Sequence, residues 1–308
     1  MLQKQFLRRR RIRMNVPNRN RLILFFSVLI ASAILLIAVS EAAGLSPIDL
    51  APIYMFSPMV GGLLVCWRYD LSLRAMGLRF GKLPWLLISA IIALPLIGLT
   101  LLLAVIVPDV GFDPTVDILP GIDLPSGLLG VVAAVALVLA IGVTINALFA
   151  FCEEFGWRGY LLWELAPLGF WKASFAIGAI WGLWHAPVIL AGYNYPSYPI
   201  LGVFIMVFAC MAFSPLYTYL VMKSESVLAA AFLHGVFNAS AGIVIAFAVT
   251  DSSILRELVA SPVGLAGILA FLVATVGIII VGTPSLSRDF ATVNADIVST
   301  ESASQSKE

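Results

Sequence analysis

The sequence has 308 residues, of which 61% are hydrophobic and 11% are charged. Soluble domains contain about 45 to 50% apolar and about 25% charged residues, so this chain has too few polar side chains to cover a surface in water. With a mean hydropathy of +1.03, the composition excludes soluble globular, disordered, coiled-coil and collagen-like proteins and predicts a polytopic membrane protein surrounded by lipid. The formal net charge of +1 by itself says nothing about an acidic partner. The basic N-terminal tail adjoins a hydrophobic segment and is more simply a topology signal than a nucleic-acid-binding element, so we expect no nucleic-acid partner.

A membrane-spanning helix needs about 20 mainly apolar residues, and the chain offers eight such segments in order. They are residues 22–40, 50–67, 84–107, 128–151, 173–191, 199–222, 227–250 and 262–282. The first is too long for a cleaved signal sequence and is interpreted as an anchor, whereas the second is short and contains Pro52 and Pro58. The sequence therefore predicts an all-α bundle of about eight transmembrane helices.

Three regions follow from this assignment. Residues 1–21 form a basic tail, residues 22–283 form the transmembrane domain, and residues 284–308 form a polar, Ser-rich tail that we expect to be disordered.

The positions of Lys and Arg predict the orientation of the helices, because cytoplasmic loops are enriched in both. Eight of the 18 basic residues lie within the first 21 positions. Others follow the second, fourth and sixth segments, namely Arg68, Arg74, Arg79, Lys82, Arg158, Lys172 and Lys223. The remaining loops carry Glu41, Asp49, Asp109, Asp113, Asp117 and Asp123, and only the last of them has a basic residue, Arg256. The pattern predicts a multi-pass protein of the cell membrane with both termini in the cytoplasm.

Ionisable residues within membrane spans are costly and usually functional, and the first group of them follows the fourth segment. Glu153 and Glu154 are adjacent, so their side chains point about 100° apart on a helix and cannot share one role. Arg158 follows Glu154 at i+4 with the acid first, which is the favourable order for an ion pair. Glu153 has no obvious local partner, and a carboxylate of that kind in a low dielectric is suited to take and return protons.

The two histidines of the chain lie in two further spans. Pro187 cannot donate to the carbonyl oxygen of Leu183, so we expect a kink that leaves a backbone acceptor free near His185. Trp181, one turn earlier, can hold the His185 ring. His234 and Asn238 are separated by four residues and share a helix face. Glu and His can activate water, and His and Asn can donate hydrogen bonds to an oxyanion, so the set suits peptide hydrolysis.

These residues also resemble the motifs of a known family. Glu153-Glu154-x-x-x-Arg158, Trp181-x-x-x-His185 and His234-x-x-x-Asn238, in this order, resemble the three motifs of the CPBP (CAAX protease and bacteriocin-processing) family of intramembrane proteases, which includes the Rce1-like CAAX prenyl endopeptidases. The resemblance covers residues 141–246. Trp181 stands where the family usually has Phe.

The resemblance implies an eight-helix membrane fold whose site opens toward the cytosol. Glu153 and His185 would then activate the water, His234 and Asn238 would form the oxyanion pocket, and Glu154, Arg158 and Trp181 would support the site. The expected substrate is a membrane-associated or lipidated protein or peptide. No cofactor is needed for this mechanism.

Other functions use the same residues. Glu153, His185 and His234 can form a zinc site with an open position, although the HExxH motif is absent and Asn238 suits an oxyanion donor better than a zinc environment. A proton-coupled transporter, with Glu153 and the histidines as the relay, is a different class of function. A nonenzymatic immunity or scaffold protein would keep the same residues for structural reasons only.

Overall fold

The computed structural model describes residues 16–113, 125 and 127–291. Most of the basic N-terminal tail, Asp117 and Asp123 of the acidic loop, and residues 292–308 lie outside the described residues.

Within the described residues, eight longer helices form a bundle, one in the region of each of the eight predicted segments. They are α1 (Arg19–Ala43), α2 (Ser57–Tyr69), α3 (Leu83–Val105), α4 (Leu129–Leu168), α5 (Phe170–Leu190), α6 (Pro199–Ser224), α7 (Val227–Phe247) and α8 (Leu265–Val281). All but α2 and α8 are long and apolar enough to cross a membrane. Two short strands, β1 (Gly111–Phe112) and β2 (Ala248–Val249), pair in antiparallel fashion. The chain is therefore an all-α polytopic membrane protein.

Proline residues divide two of the predicted spans. Pro52 and Pro58 split the second one into a one-turn helix, Ala51–Tyr54, and α2, and each proline lies in the first turn of its helix, where its missing N–H group is not needed. With 13 residues, α2 is about 20 Å long and shorter than a hydrocarbon core of about 30 Å. Pro187 acts in the same way within α5, which is interrupted at His185.

Two glycines allow close helix packing next to residues that the sequence singled out. A Cβ atom on Gly182, which follows Trp181, would lie 2.4 Å from the Cα of Val207 in α6. A Cβ atom on Gly235, which follows His234, would lie 2.2 Å from the carbonyl oxygen of Gly142. Small residues of this kind bring membrane helices together, so they fix α5 against α6 and α7 against the helix that contains Glu153.

The loops and helix ends gather at two ends of the bundle. One, which we call the basic end, contains residues 16–21, 70–82, 163–172, 223–227 and 284–291. Contacts that join these segments include Arg21 Nη2 to Glu164 Oε1 at 3.0 Å, Lys82 Nζ to Glu225 Oε1 at 2.6 Å, and Arg79 to the carbonyl oxygen of Ala291. The described basic flanks therefore share one end, as the charge pattern predicts, whereas the cytoplasmic location of that end stays a prediction.

The other end, which we call the opposite end, contains residues 44–56, 106–113, 191–198 and 248–264. Here β1 pairs with β2, the Tyr195 hydroxyl donates to the carbonyl oxygen of Val263 at 2.7 Å, and the Ser197 hydroxyl donates to Glu257 at 2.6 Å. Cross-links of this type hold the loops of the opposite end against one another.

The first part of the polar C-terminal tail packs on the bundle. Arg288 donates to the carbonyl oxygens of Trp163 and Glu164, and it reaches the Glu164 carboxylate at 2.8 Å. Phe290 and Ala291 are buried. Glu164 thus supplies the counter-charge that holds residues 284–291 on the bundle, whereas the disorder expected for residues 284–308 as a whole stays a prediction.

Candidate active site

The two adjacent glutamates lie within α4, which continues well past them, as the absence of an early proline predicts. Both side chains are buried. Directly after them, residues Phe155–Leu161 form a π-helical segment, a rare form of helix that occurs frequently at functional sites. The carboxylates are therefore held inside the bundle and not at a helix end.

Glu154 forms the centre of a buried ionic cluster. Arg158 Nη1 lies 3.1 and 3.0 Å from its two carboxylate oxygens, which confirms the predicted i, i+4 pair. His234 Nδ1 lies 2.9 Å from the same Oε1 atom, although 80 positions separate the two residues in the chain. Glu154 is paired with Arg158, which keeps its charge, so its Oε1 atom accepts a hydrogen bond from a protonated Nδ1 of His234. The carboxylate thus orients the imidazole of α7.

Arg158 is fully buried, and two aromatic rings stabilise its charge. Its guanidinium carbon lies 4.4 Å from the centre of the Trp181 ring and 4.6 Å from that of Tyr217, distances at which a cation is attracted by a ring face. Its Nη2 atom also donates to the Ser214 hydroxyl at 3.3 Å. Ser214 and Tyr217 were not predicted from the sequence; the signal for them is a group of hydroxyl-bearing residues around Pro215 within a mainly apolar span.

Glu153 finds its partner on another helix. The indole N–H of Trp181 donates to Glu153 Oε2 at 2.9 Å. A Phe residue, which the related family usually has at this position, has no such donor. Trp181 therefore binds the Glu153 carboxylate and covers Arg158. The spacing in the sequence predicts only that Trp181 fixes the His185 ring.

His185 lies at the interruption of α5. Its backbone N–H bonds to the carbonyl oxygen of Gly182 at 3.2 Å instead of that of Trp181, and the freed Trp181 oxygen accepts from His185 Nδ1 at 2.8 Å. The ring therefore bonds to the carbonyl oxygen of Trp181 and not to that of Leu183, which the position of Pro187 predicts to be free. Because a carbonyl can only accept, Nδ1 carries the proton, and Nε2 of the neutral ring is left with a lone pair.

One cavity connects these side chains. It has a volume of about 140 Å³, and its wall includes Glu153, Trp181, His185, His234 and Asn238. Glu154 and Arg158 lie behind this wall. The volume exceeds the about 10 to 15 Å³ that one water molecule needs. Tyr217 also lines the cavity, and its buried hydroxyl has no partner among the described residues, so a water molecule in the cavity can satisfy it.

The cavity opens at the opposite end of the bundle. Its outer wall is formed by residues of that end, namely Ala51, Met55, Tyr193, Asn194 and Val263. The basic end contributes no residue to the wall. The mouth and the described ends of the chain therefore lie at different ends of the bundle, so the expected cytoplasmic termini and the expected opening toward the cytosol cannot both be correct.

The residues of the alternative zinc site, Glu153, His185 and His234, all line the cavity. Among the described residues, no group of three His, Cys, Asp or Glu side chains is placed so that it could hold a metal ion.

The fold and the cavity together define a polytopic membrane protein with ionisable side chains around a cavity inside the helical bundle. Residues 133–240, about a third of the chain, match the family model described as type II CAAX prenyl endopeptidase Rce1-like. This match contains all residues of the three motifs and confirms the resemblance of this segment to the Rce1-like family. The family is one of intramembrane proteases, which act on membrane-associated substrates. No curated protein shows significant similarity to the chain.

The buried pair predicts a loss of stability in the variant Glu154→Ala. Removal of one partner leaves the Arg158 charge buried and uncompensated, which costs about 3 to 5 kcal/mol, so we expect a lower melting temperature in detergent and a lower folded yield. The double variant Glu154→Ala/Arg158→Met should recover part of the loss because no unpaired charge remains. Glu41→Ala, at an exposed position of α1, is the control. A single variant that melts like the unmodified protein would contradict the assignment.

Proposed function

We propose that the protein is an intramembrane endopeptidase, similar to the CAAX prenyl endopeptidases, that hydrolyses a peptide bond with water activated by Glu153 and His185. The observation that carries this proposal is the shared cavity, in which the Glu153 carboxylate, two imidazoles and the Asn238 carboxamide line a space large enough for water. Glu154 is bound by Arg158 and His234. Glu153 is therefore the glutamate that is available to act as a base.

In the first step, Glu153 acts as the general base. The Trp181 N–H group stabilises its ionised form, and the unprotonated Nε2 of His185 accepts a hydrogen bond from the same water. As the water oxygen attacks the scissile carbonyl carbon, one proton passes to Glu153. Glu153 then returns this proton to the leaving amine when the C–N bond breaks, so the enzyme ends in its starting state.

The second function of the site is to stabilise the oxyanion that forms on the carbonyl oxygen. Asn238, one helical turn after His234, offers its amide N–H groups. His234 can donate from Nε2 only when the ring carries both protons, and the carboxylate of Glu154 at Nδ1 stabilises that charged form. The ion pair behind the wall therefore serves the reaction by preparing a positively charged donor.

A zinc-dependent version of the same peptidase, with Glu153, His185 and His234 as ligands, is the main alternative. Metal analysis of purified protein, combined with activity before and after dialysis against a chelator, separates the two mechanisms. We expect activity to survive chelation. Loss of activity that returns on addition of zinc would replace the water-only mechanism.

The proposed base predicts different effects for two variants around one carboxylate. Glu153→Gln keeps the shape of the side chain but cannot take a proton, so we expect no detectable cleavage by folded protein. Trp181→Phe removes only the N–H donor to Glu153, so it should lower the turnover number with little change in KM. Turnover is measured per folded molecule with a fluorogenic peptide in detergent, and full activity of Glu153→Gln would rule this residue out as the base.

The oxyanion pocket predicts a kinetic effect of Asn238→Ala. A donor that acts only on charge formed in the transition state does not change substrate binding, so turnover should fall about a hundredfold to a thousandfold at nearly constant KM. An asparagine that only joins helices would instead lower stability by about 0.6 kcal/mol and leave turnover per folded molecule unchanged. Measurement of turnover and melting temperature on the same preparation distinguishes these roles, and the second result would remove Asn238 from the pocket.

A further inference from the structure

The direction in which the cavity opens can be followed along the helices that form it. Both α5 and α7 run from the basic end to the opposite end. Along α5, Trp181 precedes His185, and along α7, His234 precedes Asn238, so the second residue of each pair lies nearer the opposite end. Asn238 is exposed, whereas Trp181 and His234 are buried. The site therefore becomes more open toward the opposite end.

Toward the basic end the site is closed. The ion pair of Glu154 and Arg158 is fully buried there, and the rings of Trp181 and Tyr217 cover it. Opening a path through this wall would uncover or separate buried charges, which is strongly unfavourable. A substrate therefore reaches Glu153 from the opposite end.

The segments around the mouth of the cavity, which form its rim at the opposite end, are held together by hydrogen bonds. The loop of residues 191–198 is tied to the segment before α8 by the bonds of Tyr195 to Val263 and of Ser197 to Glu257. Tyr193 in this loop lines the cavity and is 41% exposed. Tyr193 and Glu153 line the same cavity, which places the mouth and the proposed base in one continuous site.

The charges of the two ends differ sharply. In the sequence, the loops of the opposite end contain one basic residue, Arg256, whereas the flanks at the basic end contain nearly all of the others. Cytoplasmic loops carry the excess of Lys and Arg, and this bias sets the orientation of membrane proteins. The basic end is therefore the cytoplasmic one by this rule, and the mouth of the cavity faces the other side of the membrane.

We infer that the site receives its substrate from the extracytoplasmic face. The substrate class is an uncharged polypeptide segment exposed on the outer side of the membrane, because Tyr193, Asn194, Met55 and Val263 line the mouth without a charge. A lipidated C-terminus presented from the cytoplasm does not reach this mouth. This inference rests on the proposed function for the cleavage step, but the direction of access rests only on the cavity and the charges.

Cysteine labelling tests the direction of access without any need for activity. In a background with Cys66, Cys152 and Cys210 replaced by Ala, single cysteines are placed at the mouth (Tyr193→Cys), elsewhere at the opposite end (Asp251→Cys) and at the basic end (Ser72→Cys), all exposed positions. Intact spheroplasts of a bacterial expression host receive a membrane-impermeant maleimide. We expect Tyr193→Cys and Asp251→Cys to react at once and Ser72→Cys only after permeabilisation. The reverse pattern would overturn the inference, and monodisperse elution in detergent verifies the fold of each variant.

A second measurement uses internally quenched peptides of uncharged, aromatic-rich sequence with right-side-out and inverted membrane vesicles. Cleavage in right-side-out vesicles that Glu153→Gln abolishes is the expected result. Cleavage confined to inverted vesicles would contradict extracytoplasmic access while supporting the peptidase. Absence of cleavage in both vesicle types and in detergent would contradict the proposed peptidase, and the labelling pattern would still decide which face the cavity opens to.

Discussion

The carboxylate of Glu154 is the constraint on which the site depends. A charge without a partner cannot remain in the interior of a membrane protein, so the bundle must bring a cation to it. Arg158 comes from the same helix and His234 from α7. Arg158 in turn needs the ring faces of Trp181 in α5 and Tyr217 in α6. One buried acid therefore ties four helices together at the depth where the cavity forms.

This cluster also explains why two adjacent glutamates have different environments. A step of about 100° along the helix directs Glu154 into the ionic cluster and Glu153 to the wall of the cavity. Trp181 connects the two environments, because its N–H group binds Glu153, its ring covers Arg158, and its carbonyl oxygen binds His185. Glu154 thus stabilises the bundle and Glu153 is the proposed base, and the Trp181 indole contacts both Glu153 and the Arg158 partner of Glu154.

The distribution of charge has a second consequence at the scale of the whole bundle. The cluster of Glu154 and Arg158 closes the cavity on the side of the basic flanks, and the tail segment around Arg288 packs at that same end through Glu164. The cavity that contains Glu153 is lined at the opposite end by Tyr193 and Asn194 of the loop of residues 191–198. Orientation in the membrane and access to the site are therefore coupled, since the same arrangement of helices determines both.

Local patterns in the sequence determined the class of protein, the eight helical segments, the interruption at Pro187 and the pairing of Glu154 with Arg158. Each of these depends on composition or on residues within about one helical turn, so it can be predicted without knowledge of the tertiary structure. The three motifs likewise indicated the family that residues 133–240 match.

Contacts between helices were decided by the tertiary structure alone. The bond between Glu154 and His234 spans 80 positions, and the bond between Trp181 and Glu153 spans 28; no local period specifies such pairs. They form because glycines next to Trp181 and His234 let the helices approach closely. The same packing placed residues 284–291 on the bundle and opened the cavity away from the basic end, because which helices meet, and at which depth, depends on how all their faces fit together.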